Sequence, residues 1–233
     1  MTRIGLLSAL LLMLAGTGLT GTTSAQAGDR HGDFMVRILG TGVLPDASAD
    51  VFAAGAPIAG ADADINNKFI PATTLTYFLT DNIAAELFCC FSKHTVEAKD
   101  SIAALGDLGD AWIFPPALTL QYHFDPMNGF KPYVGAGVQY IHFFNESGHP
   151  TLGGMSIDDA WGFALQAGVD IEVGDGWYLN ADVKKVWMDT NASWANGVTA
   201  DVNVDPLIVS AGLGYRFNLS DIFGSRGVAA PLK

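Results

Sequence analysis

Past the N-terminal segment ending near Leu14, this 233-residue chain has no stretch approaching the roughly 20 apolar residues that a membrane-spanning helix requires. That absence excludes a helical membrane protein. Basic residues are also scarce, 12 Lys and Arg against 24 Asp and Glu for a formal charge of −12, and no basic stripe interrupts the chain. A nucleic-acid partner is therefore not expected, because a phosphate backbone needs a cationic footprint. Cysteine is reduced to the adjacent pair Cys89 and Cys90. In an alternating segment, neighbours point to opposite faces, so neither a disulfide framework nor a shared metal or redox centre is expected from them. No glycine-rich phosphate loop follows a strand and opens a helix, and no cofactor is expected.

What is present begins with an export signal. Arg3 supplies a positive start, Ile4 to Leu14 an apolar stretch, and Ala25-Gln26-Ala27 a small-x-small cleavage site. Residues 1–27 read as a cleaved signal peptide, and losing Arg3 moves the formal charge from −12 to −13. Mean hydropathy of +0.27 without a spanning helix is a contradiction that a closed transmembrane barrel removes, because only alternate residues of its strands need face lipid.

Period-2 patterning supports this. From Asp159 to Val173, Trp161, Phe163, Leu165, Ala167, Val169, Ile171 and Val173 share one face, and Gly162, Ala164, Gln166, Gly168, Asp170 and Glu172 share the other. Gly174-Asp175-Gly176 is a hairpin signal. The next strand sends Trp177, Leu179, Ala181 and Val183 out, and Tyr178, Asn180, Asp182 and Lys184 in. Leu207 to Phe217, Leu118 to Phe124 and Ala85 to Ser92 alternate likewise, the last with Glu86, Phe88, Cys90 and Ser92 inward. Segments near Phe34 to Gly42, Phe69 to Leu79 and Lys131 to Phe144 bring the number of strands to about eight, the smallest bacterial barrel size. Gly135, Gly137, Gly212 and Gly214 read as close-packing positions in so narrow a wall.

Connections alternate between short turns (80–82, 125–129, 174–176) and longer loops (43–67, 98–112, 145–157, 189–201). The fold class is thus all-β: an eight-stranded antiparallel transmembrane β-barrel with short periplasmic turns and longer external loops, in the outer membrane and in contact with its lipid. Residues 28–217 form the barrel and 218–233 a periplasmic tail. Trp177, Tyr178, Tyr215 and Phe217 at the short-turn side, and Phe143, Phe144, Trp161 and Trp187 at the loop side, are candidate interfacial aromatics. A soluble sandwich or a soluble periplasmic ligand-binding barrel would leave the export signal and the continuous apolar outer stripe unexplained.

Several segments, in this order and spacing, resemble the OmpW family: Thr80-Asp81-Asn82-Ile83-Ala84-Ala85-Glu86-Leu87, Phe114-Pro115-Pro116-Ala117-Leu118, Lys131-Pro132-Tyr133-Val134-Gly135-Ala136-Gly137-Val138, Asp159-Ala160-Trp161-Gly162, and Asp205-Pro206 leading to Gly214-Tyr215-Arg216-Phe217. The resemblance runs from about Asp33 to Phe217. It implies an eight-stranded barrel with a narrow apolar lumen that passes small hydrophobic molecules inward, with exit into the bilayer as one route. In some members it also implies a receptor role. It makes Phe217 the terminal aromatic read by the barrel-assembly machinery. The family's constriction falls on Phe88 and on Lys184, and the latter departs from the aromatic expected there. A cation in a narrow lumen needs partners, since an unpaired buried charge is costly. Glu86, Asp170, Glu172, Asp182 and Arg216 are the candidate lumen charge network.

Catalysis is not expected. Glu86, Ser92, His94, His123 and His142 are the only residues that suggest it, and a nucleophile acting on lipid would have to face outward. Two readings of function remain: a narrow channel or carrier for small hydrophobic molecules, or a closed structural or receptor barrel that works through its external loops.

Overall fold

The computed structural model describes residues 33–218. The expected signal peptide, and the expected tail from residue 219 onward, lie outside the described residues.

Eight strands run antiparallel around a closed wall: β1 (Phe34–Leu44), β2 (Lys68–Phe78), β3 (Ile83–Cys90), β4 (Ala117–His123), β5 (Phe130–Gly148), β6 (Ala160–Gly174), β7 (Trp177–Trp194) and β8 (Leu207–Phe217). Each pairs with the next, and the ring closes where β1 meets β8 from Phe34 opposite Phe217 to Leu44 opposite Leu207. Closure leaves no unpaired edge in the wall, which lipid requires. β1, β2 and β8 are each 11 residues long, close to what a tilted strand needs to cross a bilayer.

Burial follows side-chain parity. β7 alternates exposed and buried positions along almost its whole length. The outward set is apolar, with Ile38 at 70% and Phe69 at 79% exposure. Surface of that kind is untenable in water over a whole wall and suits lipid. At the turn end, Trp177, Tyr215, Phe217, Phe34 and Tyr77 form a chain of neighbouring rings around four adjacent strands. At the other end Tyr140 lies against Trp161 and Phe163 against Trp187. Tyr178 keeps the inward direction expected from alternation and departs from its expected place among the interfacial aromatics. It is buried inside the barrel with Met35, Phe78 and Ala84, because parity in β7 sends it inward.

The turn between β6 and β7 is tight, with Gly174, Asp175 and Gly176 all at positive φ (121°, 51° and 81°), a conformation that glycine adopts without strain. At the opposite end the expected long loops are largely strands. Ala47–Ala53 and Val198–Val204 pair with each other and extend the upper part of β7, joined by Met155–Ile157. Ala61–Ile65, Ser92–Asp100 and Asp107–Phe114 extend the upper part of β5. Prolines at 45, 115, 116 and 206 stand where barrel strands give way to these extensions; lacking an N–H, each interrupts the ladder there. Two separate sheets thus rise above the barrel and face each other across an apolar core that includes Val51, Ala63, Leu108, Leu152 and Trp194. Trp194 donates its indole N–H to the Leu108 carbonyl across that core at 3.1 Å.

Candidate functional site: a polar plug beneath an apolar cavity

The barrel interior has two storeys. In the lower one, parity on four strands brings charged side chains to one point. Arg37 on β1 is its centre. Its guanidinium donates to Asp170 on β6 through Nε (3.1 Å) and Nη2 (2.6 Å), and through Nη1 to Glu86 on β3 (2.8 Å) and Thr76 on β2 (2.7 Å). The fork-to-fork geometry with Asp170 is the strongest form of such a pair. Lys184 on β7 donates to Asp182 at 3.3 Å and lies 3.6 Å from Glu86.

Neutral groups tie the carboxylates further. Gln166 donates from Nε2 to both Glu86 (2.9 Å) and Asp182 (2.8 Å). The Tyr133 hydroxyl donates to Asp182 at 2.9 Å, and Asn180 Nδ2 to Asp170 at 2.9 Å. Two cations, Arg37 and Lys184, thus face three carboxylates, Glu86, Asp170 and Asp182, and Arg37 and Lys184 are each at most 1% exposed. Buried charges persist only when paired and hydrogen-bonded in this way. The cluster spans the lower lumen, and the near-zero exposure of Arg37, Glu86, Asp170 and Lys184 keeps water away from these side chains.

Of the sequence-assigned network, Glu86, Asp170 and Asp182 converge here. Glu172, half-exposed and opposite Tyr178, makes no hydrogen bond to the cluster. Arg216 lies near the periplasmic end with its guanidinium 3.9 Å from the Phe78 ring centroid. Phe88 and Lys184 do meet: Nζ stands 5.2 Å from the ring centroid, a cation–π contact at the boundary between the storeys. Sequence reasoning missed Arg37 altogether. The signal was there, since a lone cation between apolar Phe34-Met35-Val36 and Ile38-Leu39 in a transmembrane strand has to face inward.

Above Phe88 the chemistry changes. Leu39, Ile70, Ile141, Val186, Met188 and Ile208 form an apolar collar. It opens into a cavity of about 180 Å³ that reaches from Phe88 to Trp194, between the two outer sheets. Its lining is apolar except for Ser92, His94, Gln139 and Thr190. Ser92 Oγ and His94 Nε2 are 2.9 Å apart, but His94 Nδ1 meets the Asn66 carbonyl at 3.1 Å in place of a carboxylate, and Glu86 is committed to Arg37. The pair is the inward-facing couple that parity anticipated, without the acid that a nucleophilic triad uses.

Comparison with known proteins places these features in context. The sequence profile of the OmpW family matches residues 30–217. The chain is 34% identical to outer membrane protein W of Vibrio cholerae over 200 residues, covering 81% of this chain and 90% of that protein. It is 32% identical to the dibenzothiophene metabolism operon protein PahQ of Pseudomonas aeruginosa, covering 78% of this chain and 87% of that one. Among solved structures, it is similar to the outer membrane protein OprG of Pseudomonas aeruginosa, with a TM-score of 0.75, 32% identity, and coverage of 82% of this chain and 98% of that one.

Proposed function

The chain belongs to the OmpW family of outer-membrane β-barrels, and from that premise we propose that it takes up small hydrophobic molecules at the outer face of the membrane. The observation that carries the reading is the cavity of about 180 Å³, walled on nearly every side by apolar groups and set above a closed polar plug. Such a chamber gains favourable energy by removing apolar surface from water. Dibenzothiophene, after whose metabolism the operon of the relative PahQ is named, is an apolar molecule of the class that such a chamber suits.

The plug bears on the route. An apolar solute passing straight down would have to part the bonded charges around Arg37, which is costly. Sideways exit meets less resistance. β5 pairs with β6 only up to Ile141 opposite Ala160, and β1 with β2 only up to Val43 opposite Lys68. Above these points no strand ladder joins the two outer sheets, which are linked instead by isolated bonds, Ala49 N–H to Asp62, Ile157 N–H to Glu146 and the Trp194 indole to the Leu108 carbonyl, and Phe143 and Ile157 line the cavity beside the first seam. The protein then works as a vestibule that delivers into the bilayer. Phe88 and Lys184 act as its floor, while Trp161, Trp177, Trp187, Tyr215 and Phe217 rest at the membrane interfaces. Phe217 at the end of β8 is the residue offered to the barrel-assembly machinery.

The closed lower storey also suits the second reading, a structural or receptor barrel that acts through its external sheets. Entry of a fluorescent apolar probe into liposomes carrying the refolded barrel separates the two. Uptake above empty liposomes, lost when Ala111→Trp fills the cavity, is the expected result; no uptake above empty liposomes refutes the carrier reading in favour of the receptor one.

A further inference from the structure

The polar groups on the cavity wall are not equivalent. Ser92 and His94 bond to each other, and His94 also meets the Asn66 carbonyl. Thr190 Oγ1 donates to the Asp158 carbonyl at 2.6 Å. Gln139 differs. It is 2% exposed, it lines the cavity, and its Oε1 has no hydrogen-bond partner. Its register neighbours across the wall are Ala117 on β4 and Gly162 on β6, whose side chains carry no polar atom. A buried amide left in this state is unfavourable and calls for a partner from the cavity itself.

The chemistry of that partner is constrained from both sides. A primary amide presents an acceptor and a donor close together, and one hydroxyl answers both. A saturated hydrocarbon answers neither. An anionic headgroup is excluded by the lining, which contains no Lys or Arg; Lys184 lies beyond the Phe88 ring and is committed to Asp182 and Glu86.

We propose that the cavity selects neutral amphiphiles, molecules with an apolar body and one hydroxyl group, and that Gln139 at the cavity wall holds that hydroxyl. Medium-chain primary alcohols and simple phenols are the implied class. The inference rests on the apolar-uptake reading and sharpens it to a substrate class.

The test uses the full barrel in lipid nanodiscs, titrated with 1-octanol and, separately, with n-octane, and followed by the methyl resonance of the cavity residue Ile141. Comparing wild type with Gln139→Leu for each probe cancels its partition into lipid. Removal of the neutral amide–hydroxyl contact should weaken 1-octanol roughly 3- to 10-fold and leave n-octane unweakened. Gln139→Met, close in volume and without hydrogen-bonding groups, should behave as Gln139→Leu does, and a compact, heat-modifiable band on electrophoresis reports that each variant is folded. If both probes bind and the variants change neither, or change both equally, the hydroxyl-selective reading is overturned while apolar uptake stands. If neither probe binds the wild type, both readings fall together.

Discussion

Replacing Arg37 by Met isolates the energetics of the plug. The guanidinium supplies four hydrogen bonds of 2.6 to 3.1 Å, three of them to carboxylates, from a side chain only 1% exposed. Loss of the cation strands the two carboxylates unequally. Glu86 keeps Lys184 at 3.6 Å and Gln166 at 2.9 Å, whereas Asp170 keeps only Asn180 at 2.9 Å. Removing one member of a buried pair costs about 3–5 kcal/mol, mostly through the charge left behind. That is a large fraction of the 5–15 kcal/mol typical of a folded domain. Arg37→Lys keeps the charge but cannot make the two-pronged contact with Asp170, so its loss should be smaller. The double variant Arg37→Met/Asp170→Leu removes the stranded charge and should recover a substantial part of the single-variant loss. Urea unfolding of barrels refolded into phospholipid vesicles, followed by tryptophan fluorescence, measures all three. A loss below about 1 kcal/mol for Arg37→Met, or no recovery in the double variant, refutes the view that this cluster is a plug held by paired buried charges.

Phe88→Arg places a second cation beside Lys184, whose Nζ is 5.2 Å from the present ring centroid, and charges the cavity floor; probe entry into liposomes should fall toward the empty-vesicle level while the barrel still folds. Gly137→Ala should cost about 1–3 kcal/mol or more in the same urea assay, because a Cβ there would stand 2.0 Å from the Leu118 carbonyl oxygen, which the wall holds in place. In the outer sheet, beyond the membrane, the Thr95 hydroxyl and then Lys93 hold the Asp110 carboxyl below its ordinary value of 3.8. A depressed carboxylate contributes stability that is fully present above the ordinary value and is lost as pH falls through the lower folded one. Carboxyl NMR should therefore show Asp110 ionised below pH 3.8 in the wild type, and Thr95→Val should move its midpoint upward.

Most of the wall was legible in the chain because a strand's side-chain period is fixed by backbone geometry. Trp161 to Val173, Trp177 to Lys184 and Leu207 to Phe217 declare their inward and outward faces without any partner. Parity also placed Glu86, Phe88, Asp170, Tyr178, Asp182 and Lys184 inside, and for Tyr178 it prevails over the grouping of aromatics near strand ends, which had put that residue at the outer rim. The outer sheets were hidden for a different reason. Segments such as Ala47–Ala53 are short and mix small apolar with acidic residues, so their strand character comes from pairing with Val198–Val204 and the upper part of β7.

By itself, then, the sequence determined an alternating, closed, lipid-facing wall, since the side-chain period is a property of the chain alone. Only the tertiary structure decided what that wall encloses. Register brings Arg37 to Asp170 across 133 residues and leaves the Gln139 Oε1, between Ala117 and Gly162, without a partner. Such meetings depend on how strands stagger around the barrel, a quantity that no single strand encodes.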